Sequence, residues 1–347
     1  MFELTFLGTS SGVPTTRRNV SGLAVSLLGE TGQTGKSTPW ILIDCGEATQ
    51  HQLLRTAHKP SMLQAIMITH MHGDHCYGLM GLLASLAMHG RRAALPIIAP
   101  PALGELLDAF IRLTEMNLSY EIEFIDIHQV IDDGVRLSLT PQHWLDIDIH
   151  KLSHRCESFG FGLTQSMTKS KLDTDKLLAQ GIDKVHWGRI LKSAQSGMVQ
   201  IEIDGVMMDA HQFCHRTINA QKIVVAGDND TPSLLADAIK GADVLVHEAT
   251  YTQAVMDKIL AKGVFDPKHS SAKMVAEFAE RAGVPCLVLT HFSARFMLFD
   301  DPNDSTPNMG HIRTEAESAY DGKLVLATDL MTISTVADVP KVVRADG

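Results

Sequence analysis

The chain has 347 residues, of which 45% are hydrophobic and 20% charged, so it is typical of a globular protein with a large core, either one large domain or two fused halves. Its five cysteines are scattered, no apolar run approaches the roughly 20 residues of a membrane span, and the first residues lack a basic leader, so we expect a soluble cytoplasmic protein without a membrane partner. The formal net charge of −10 excludes nucleic-acid binding through a global positive field, and such binding would need a local basic patch.

Short apolar runs that alternate with amphipathic stretches predict a mixed α/β architecture. The predicted strands are, in chain order, Ala24–Leu28, Trp40–Ile43, Ala65–Thr69, Lys222–Ala226, Val244–His247 and Cys286–Thr290. The predicted helices are Glu47–Thr56, Leu103–Thr114, Ser233–Lys240 and Ala272–Ala282. Two stretches break the rhythm: Glu30–Pro39 reads as a polar hairpin loop, and Gln165–Gln200 is long, polar and locally basic.

Three predicted strands run directly into polar residues that can bind a metal. His70 follows the strand that ends at Thr69, Asp228 follows a strand and a glycine, and His291 follows Thr290. Because α/β folds place their ligands at strand ends and the adjoining loops, these side chains are predicted to share one site.

The densest cluster is the segment 69–75, which contains four potential metal ligands, namely His70, His72, Asp74 and His75. Alternating residues of an extended segment project the same way, so the first two can reach one ion, and the last two, beyond the glycine, can reach another. Imidazole and carboxylate are the ligands of catalytic zinc, which leaves one position open for water. The cluster therefore predicts a metal-dependent hydrolase rather than a solvated His-rich loop.

Four ligands cannot complete two metal sites, so the rest of the chain must supply more. The further candidates are His154, Asp228, His247, His269 and His291. Asp228 offers a carboxylate that can bridge two ions, although an aspartate after a strand can also simply form a turn.

Taken in order, the motifs of the chain resemble the ribonuclease Z family of the metallo-β-lactamase superfamily, from Leu4 to about Ser334. The matching segments are 6–15 (FLGTSSGVPT), 18–19 (RN), 44–50 (DCGEATQ), the His cluster, 158–161 (SFGF), 247–250 (HEAT), 269–271 (HSS), 290–295 (THFSAR) and 327–330 (ATDL). The His cluster alone indicates the superfamily, and the order of all segments indicates the family.

This resemblance implies a metallo-β-lactamase αββα sandwich in a single domain, 1–347, with an inserted protruding arm, 165–200, that binds tRNA. It implies two zinc ions per chain, replaceable by manganese or cobalt, held by His70, His72 and His154, by Asp74, His75 and His291, and by Asp228 as the bridge. It also implies that Asp74 accepts a proton, that His269 assists the leaving oxygen and that Glu248 orients His269. The implied activity is two-metal removal of 3′ trailers from precursor tRNA, leaving a 3′-hydroxyl, by a homodimer.

Other residues receive plainer interpretations. Asp44 is expected to hold the turn that follows its strand, and His269 could instead be an ordinary exposed histidine at the start of a helix. The predicted contacts to the RNA are Arg18, Lys169, Lys171, Lys184, Arg189 and Lys192.

Three features depart from the family pattern. The tip of the arm, 181–188, lacks proline, although an exposed Trp187 and nearby lysines could still stack on or pair with RNA. Asn229 stands where the family commonly has threonine, and 297–311 is an additional loop.

Two other functions remain open from sequence. The first is a small-molecule phosphodiesterase or sulfatase-like hydrolase on the same metal site, which would need no arm. The second is a binding protein that keeps the fold without catalysis, which the intact ligand set disfavours.

Overall fold

The computed structural model describes residues 1–29, 32, 35, 37–196, 200–264, 266–335 and, for the backbone alone, 341–343. The strands are β1 (Phe2–Gly8), β2 (Ser10–Ser11), β3 (Gly22–Leu27), β4 (Trp40–Cys45), β5 (Leu63–Met67), β6 (Leu95–Ala99), β7 (Ile122–Asp126), β8 (Val135–Thr140), β9 (His143–Leu152), β10 (Ser158–Leu172), β11 (Gln200–Ile203), β12 (Val206–Asp209), β13 (Cys214–Ala226), β14 (Val244–Glu248), β15 (Cys286–Thr290), β16 (Phe292–Ser293), β17 (Lys323–Leu326), β18 (Thr332–Ser334) and β19 (Lys341–Val343). The α-helices are α1 (Thr49–Leu53), α2 (Gly73–Cys76), α3 (Leu79–Met88), α4 (Pro101–Thr114), α5 (Ile127–Val130), α6 (Thr174–Ala179), α7 (Lys184–Ser196), α8 (Gln253–Leu260), α9 (Ala272–Ala282) and α10 (Met309–Glu317).

Two large mixed sheets carry these elements. Within the described residues, the first sheet has eight strands in the order β19-β18-β1-β3-β4-β5-β6-β7, and the second has seven in the order β17-β15-β14-β13-β10-β9-β8. The strands β4, β14 and most of β15, each of which has at least one parallel neighbour, are buried along their length, as continuous apolar runs predict. All six predicted strands overlap observed strands.

Helices cover each sheet. Leu79 and Leu83 of α3 pack against Ile66 and Ile97 of the first sheet. On the second sheet, Val275 of α9 belongs to the same buried cluster as strand residues of β14 and β15. The predicted helix at 272–282 is confirmed, whereas that at Ser233–Lys240 is wrong, because only a short 3-10 helix, Pro232–Leu235, forms there.

The start and end of α9 follow from its sequence. The Ser271 side chain accepts a hydrogen bond from the Met274 backbone N–H, and Gly283 ends the helix in the left-handed conformation (φ 67°). Serine at the first position and glycine after the last are the residues that best satisfy free helix ends.

The chain divides into two compact units. The first comprises Met1–Val135, Ile147–Leu163 and Lys222–Gly347, and the second comprises Arg136–Asp146 and Thr164–Gln221. The second unit contains the predicted arm, Gln165–Gln200, but continues beyond it.

The second unit has a small core of its own. Ile201 and Ile203 of β11 join Leu177, Ile190 and Phe213 in one buried cluster. Since β11 and β12 supply part of this core, it extends beyond Gln200, the predicted end of the arm.

The predicted tip of the arm is not a bare loop. The helix α7 begins at Lys184, and the Trp187 ring is half-buried against the small core, with its Nε1 donating to the Ile182 carbonyl at 3.1 Å. Trp187 is therefore not the exposed stacking platform expected from sequence. The Lys184 ammonium lies 5.7 Å from the Trp187 ring centroid.

The predicted hairpin loop Glu30–Pro39 connects the antiparallel strands β3 and β4, and residues 30, 31, 33, 34 and 36 lie outside the described residues. Across the part of the chain that the structure describes, no helix is both long and apolar enough to cross a membrane.

Candidate metal centre

The first group of predicted ligands meets where β5 and β9 end. His70 and His72 follow β5, and His154 lies just beyond β9. His72 Nδ1 lies 3.1 Å from both His70 Nε2 and His154 Nε2. Three imidazole nitrogens thus converge on one point.

The second group is built on the short helix α2. This helix carries Asp74 in its first turn and His75 in its last, while His291 follows β15 in the left-handed conformation (φ 56°). His75 Nε2 lies 3.2 Å from His291 Nε2, and His291 Nε2 lies 3.3 Å from Asp74 Oδ2. The loop after β2 also reaches this group, because the Gly12 backbone N–H donates to Asp74 Oδ2 at 2.7 Å.

Asp228 lies between the two groups. Its Oδ2 is 3.6 Å from His70 Nε2 and 3.7 Å from His154 Nε2. Its Oδ1 is 3.6 Å from His75 Nε2 and 3.4 Å from His291 Nδ1. One carboxylate oxygen therefore faces each group, and burial, which alone would raise the pKa of Asp228, is outweighed by the surrounding imidazoles, which hold that pKa well below its usual range.

The chemistry of these side chains fits divalent cations. Burial, the nearby His75 and other imidazoles lower the pKa of His70 well below its usual value, so it stays neutral and keeps a lone pair for a metal. Neutral imidazoles beside carboxylates are the donor set of zinc and of related first-row ions. The tetrad His70, His72, His154 and Cys156 and the triads His70, His75 and Asp228 and Asp74, His75 and His291 each place their donor atoms within 4.8 Å of one another.

Asp44 has a larger role than the turn-holding role expected from sequence. It follows the apolar part of β4, and its Oδ2 lies 2.7 Å from His75 Nδ1 while the Thr69 backbone N–H and hydroxyl donate to its two oxygens, each at 2.8 Å. Burial lowers the pKa of His75, but the carboxylates of Asp228 and Asp44 outweigh burial and raise it to about 10. Asp44 thus fixes the ring so that Nε2 points to the metal group. Its position after an apolar strand was the same signal that identified His70 and Asp228.

We expect Asp44→Asn to lower the affinity for divalent metal by about 10–100-fold, the usual cost of losing a carboxylate that supports a metal-binding histidine. The amide keeps the shape but loses the charge that favours the Nδ1–H tautomer. Competition with a chromogenic chelator measures the affinity, and Asp237→Asn, at an exposed carboxylate, is the control. An unchanged affinity would contradict the role given to Asp44.

His269 and Glu248 form a buried pair beside Asp228. His269 Nδ1 lies 2.9 Å from Glu248 Oε2 and 3.7 Å from Asp228 Oδ2. Burial lowers the pKa of His269, but the Glu248 and Asp228 carboxylates outweigh it and raise the pKa to about 9. Only a tenth of the His269 side chain is exposed, so the alternative of an ordinary exposed histidine does not describe it.

Glu248 is itself held firmly. Its Oε1 accepts the Asn229 backbone N–H at 2.7 Å, and its Oε2 accepts the Thr250 hydroxyl. His247, which the sequence left open as a ligand, donates from Nδ1 to the Glu248 carbonyl at 2.8 Å and faces Asn229 Nδ2 through Nε2. It is outside the two metal groups.

Arg18 does not have the role expected for it. The residue is 3% exposed, and its guanidinium donates to the carbonyls of Phe292, Ser293 and Phe296. The expectation of a phosphate contact is replaced by a structural one, because the guanidinium ties its loop to the start of the additional segment 297–311. The other predicted RNA contacts lie in the second unit, where Lys171, Lys184, Arg189 and Lys192 are exposed and Lys169 is half-buried.

Comparison with known proteins shows the family of the chain. The beta-lactamase superfamily domain model matches residues 39–170. The chain is 44% identical to ribonuclease Z of Pseudomonas putida (strain GB-1) over 94% of this chain and 95% of that protein, and 43% identical to ribonuclease Z of Marinobacter nauticus over 95% of each. The chain belongs to the ribonuclease Z family. It is therefore a ribonuclease Z-type hydrolase, as the resemblance predicted.

The fold prediction is confirmed as well. The crystal structure of the short form of human tRNase Z superposes with a TM-score of 0.59 at 25% identity, covering 96% of this chain and all of that one. The two mixed sheets with their helices are thus the metallo-β-lactamase fold. Family membership implies a divalent metal, and the His and Asp groups supply donors for it.

Proposed function

We propose that the protein is a zinc-dependent endonuclease that removes 3′ trailers from precursor tRNA and leaves a 3′-hydroxyl on the tRNA. The observation that carries this proposal is the placement of Asp228, one oxygen toward each ligand group, which suits a pair of ions. Manganese or cobalt would fit the same donors, since availability rather than geometry selects among them. The family relatives named ribonuclease Z support RNA as the substrate.

Two ions bound there would supply an activated water and neutralise charge on the phosphodiester. The residues of the chain supply the remaining steps. Asp74, at the edge of the second group and held by the Gly12 N–H, accepts the proton of the attacking water. His269 donates a proton to the leaving 3′-oxygen of the tRNA body, and Glu248 keeps the His269 ring in place through Nδ1.

The proposal includes a cytoplasmic homodimer with precursor tRNA as its partner. A reducing compartment suits cysteines that the structure leaves free, among them the buried Cys45, Cys76 and Cys286. Both the dimer and the compartment rest on family resemblance and are tested by sedimentation and by fractionation of cells.

The decisive experiment offers two substrates to the same preparation. We expect the purified protein to contain about two zinc equivalents per chain and to cut a 3′-extended tRNA precursor near the discriminator base. A chromogenic phosphodiester is the second substrate, tested under the same conditions. Cleavage of the small ester alone would favour the alternative function, a small-molecule phosphodiesterase or sulfatase-like hydrolase on the same metal site.

The arm distinguishes these functions, because a small substrate does not need it. We expect charge reversal of Lys169, Lys171 and Lys192 to glutamate to raise KM for precursor tRNA, and to make its salt dependence shallower by about one unit of log K per lost phosphate contact. Cleavage of the small ester should not change. The control reverses the exposed Lys258 and Lys262 in the first unit, and equal effects of both variants on tRNA would count against the arm.

A further inference from the structure

A second cavity lies in the first unit, beside the loop that follows β2. Its volume is about 530 Å³, within the roughly 300–1,000 Å³ range of ligand pockets. Its walls come from the loop 14–19, from α1 and the turn after it, from Thr328–Leu330, and from Leu298 of the additional segment. The metal ligands do not line it.

The lining of this cavity is cationic, although the chain as a whole is acidic. Arg17, His51 and Arg55 line the cavity and are exposed. Among the described residues, neither Arg17 nor Arg55 forms an ion pair with a carboxylate, so the positive charge of each guanidinium is available to an anion. Guanidinium presents parallel N–H donors that match phosphate oxygens.

The one acid in the lining already accepts three hydrogen bonds from the protein. Asp329 accepts the Thr9 hydroxyl at 2.8 Å, the Asn19 N–H at 2.6 Å and the Gln52 amide at 2.9 Å. The same Gln52 accepts from Arg55 Nη1 at 3.1 Å through its Oε1. A continuous chain of hydrogen bonds therefore holds Arg55 in place before any ligand arrives.

The loop that carries Arg17 is fixed at both ends. The Thr15 N–H donates to the Arg18 carbonyl at 2.8 Å, and the Thr15 hydroxyl accepts the Arg18 N–H at 2.8 Å. The Arg18 guanidinium is buried against the chain around Phe292 and Phe296. Earlier in the same loop, the Gly12 N–H donates to Asp74, so the loop joins this cavity to the metal centre.

We propose that this cavity is a phosphate subsite, in which Arg17 and Arg55 bind a backbone phosphate of the RNA other than the phosphate that is cut. The proposal rests on the proposed function, since it takes RNA as the ligand. A free phosphate or nucleotide offers the same chemistry, and the experiment separates the two sources.

The test compares Arg17→Ala/Arg55→Ala with the wild type in cleavage of precursor tRNA at several salt concentrations. We expect KM to rise on the order of tenfold, and the slope of log KM against log salt to become shallower by about two units, one for each lost contact. Neither kcat nor hydrolysis of the chromogenic ester should change. The control, Lys258→Ala/Lys262→Ala, removes the same charge elsewhere on the first unit and should leave KM and the slope of log KM against log salt unchanged.

The outcomes are distinct. If the wild type does not cut precursor tRNA, the proposed function fails, whatever the cavity does. If the wild type cuts and the Arg17/Arg55 variant keeps its KM and salt slope, the subsite is wrong. In a third experiment, inorganic phosphate and a nucleoside monophosphate are titrated against the wild type and the Arg17/Arg55 variant without RNA. If the wild type binds either ligand saturably, the variant does not, and the variant keeps its KM for tRNA, the cavity binds a free ligand and the RNA subsite is overturned.

Discussion

Asp228→Ala is expected to lower the cleavage rate by at least about 10³-fold and to reduce the metal content below two ions per chain. Asp228 is the only described residue whose two carboxylate oxygens face both ligand groups, so its loss weakens both sites at once. Charge stabilisation by a bound metal is worth several kcal/mol, and each 1.36 kcal/mol is tenfold in rate.

The measurement combines metal analysis with single-turnover cleavage of precursor tRNA. Asp228→Asn keeps the volume and one oxygen, so it separates loss of charge from collapse of the buried site; circular dichroism shows whether each variant folds. Asp237→Ala removes an exposed carboxylate and is the control. Full metal content with a normal rate in Asp228→Asn would mean that this carboxylate does not bridge two ions.

Most residues of the candidate metal centre could be predicted from the sequence, because they directly follow apolar runs that predict strands. His70, Asp228 and His291 each follow an apolar strand. Asp228 and His291 follow β13 and β15 of the second sheet, whose parallel strands bring their ends to one edge, whereas His70 follows β5 of the first sheet. Their assignment to two groups came from family resemblance. In the structure, the donor atoms of His70, His72 and His154 lie within 4.8 Å of one another, as do those of Asp74, His75 and His291.

Asp44 shows what local patterns leave out. Its position after an apolar run was visible, but its effect on His75 depends on a contact between residues 31 positions apart. The same limit explains the error at Arg18, since a loop arginine is usually exposed, and its burial depends on carbonyls more than 270 positions away.

The arm was only partly predictable for a related reason. Its start near residue 165 followed from the change in composition, and the longer of the two segments of the second unit begins at Thr164. Its end depends on which hydrophobic residues share a core. Ile201 and Ile203 alternate like any strand, and only the folded unit shows that they pack with the arm helices and that Trp187 turns inward.

We expect His269→Ala to lower kcat for precursor tRNA by about 10²–10⁴-fold and to leave the metal content unchanged. A ribose 3′-alkoxide leaves poorly unless it receives a proton. His269 lies 2.9 Å from Glu248, which holds its ring, and it shares a cluster of possible ligands with Asp228, Glu248 and His291, so the metal content of the variant decides between the two roles. Loss of zinc from this variant would instead make His269 a ligand.

Substrates with different leaving groups test whether His269 donates a proton to the leaving oxygen. A phosphodiester that releases a nitrophenolate needs little protonation, so His269→Ala should slow its hydrolysis far less than it slows tRNA cleavage, and Glu248→Gln should show the same selectivity to a smaller degree. Asp228→Ala, by contrast, should slow both substrates alike, because in the proposed mechanism hydrolysis of any phosphodiester requires both metal ions. Equal losses on both substrates in His269→Ala would show that the residue positions the phosphate rather than donating a proton to the leaving oxygen.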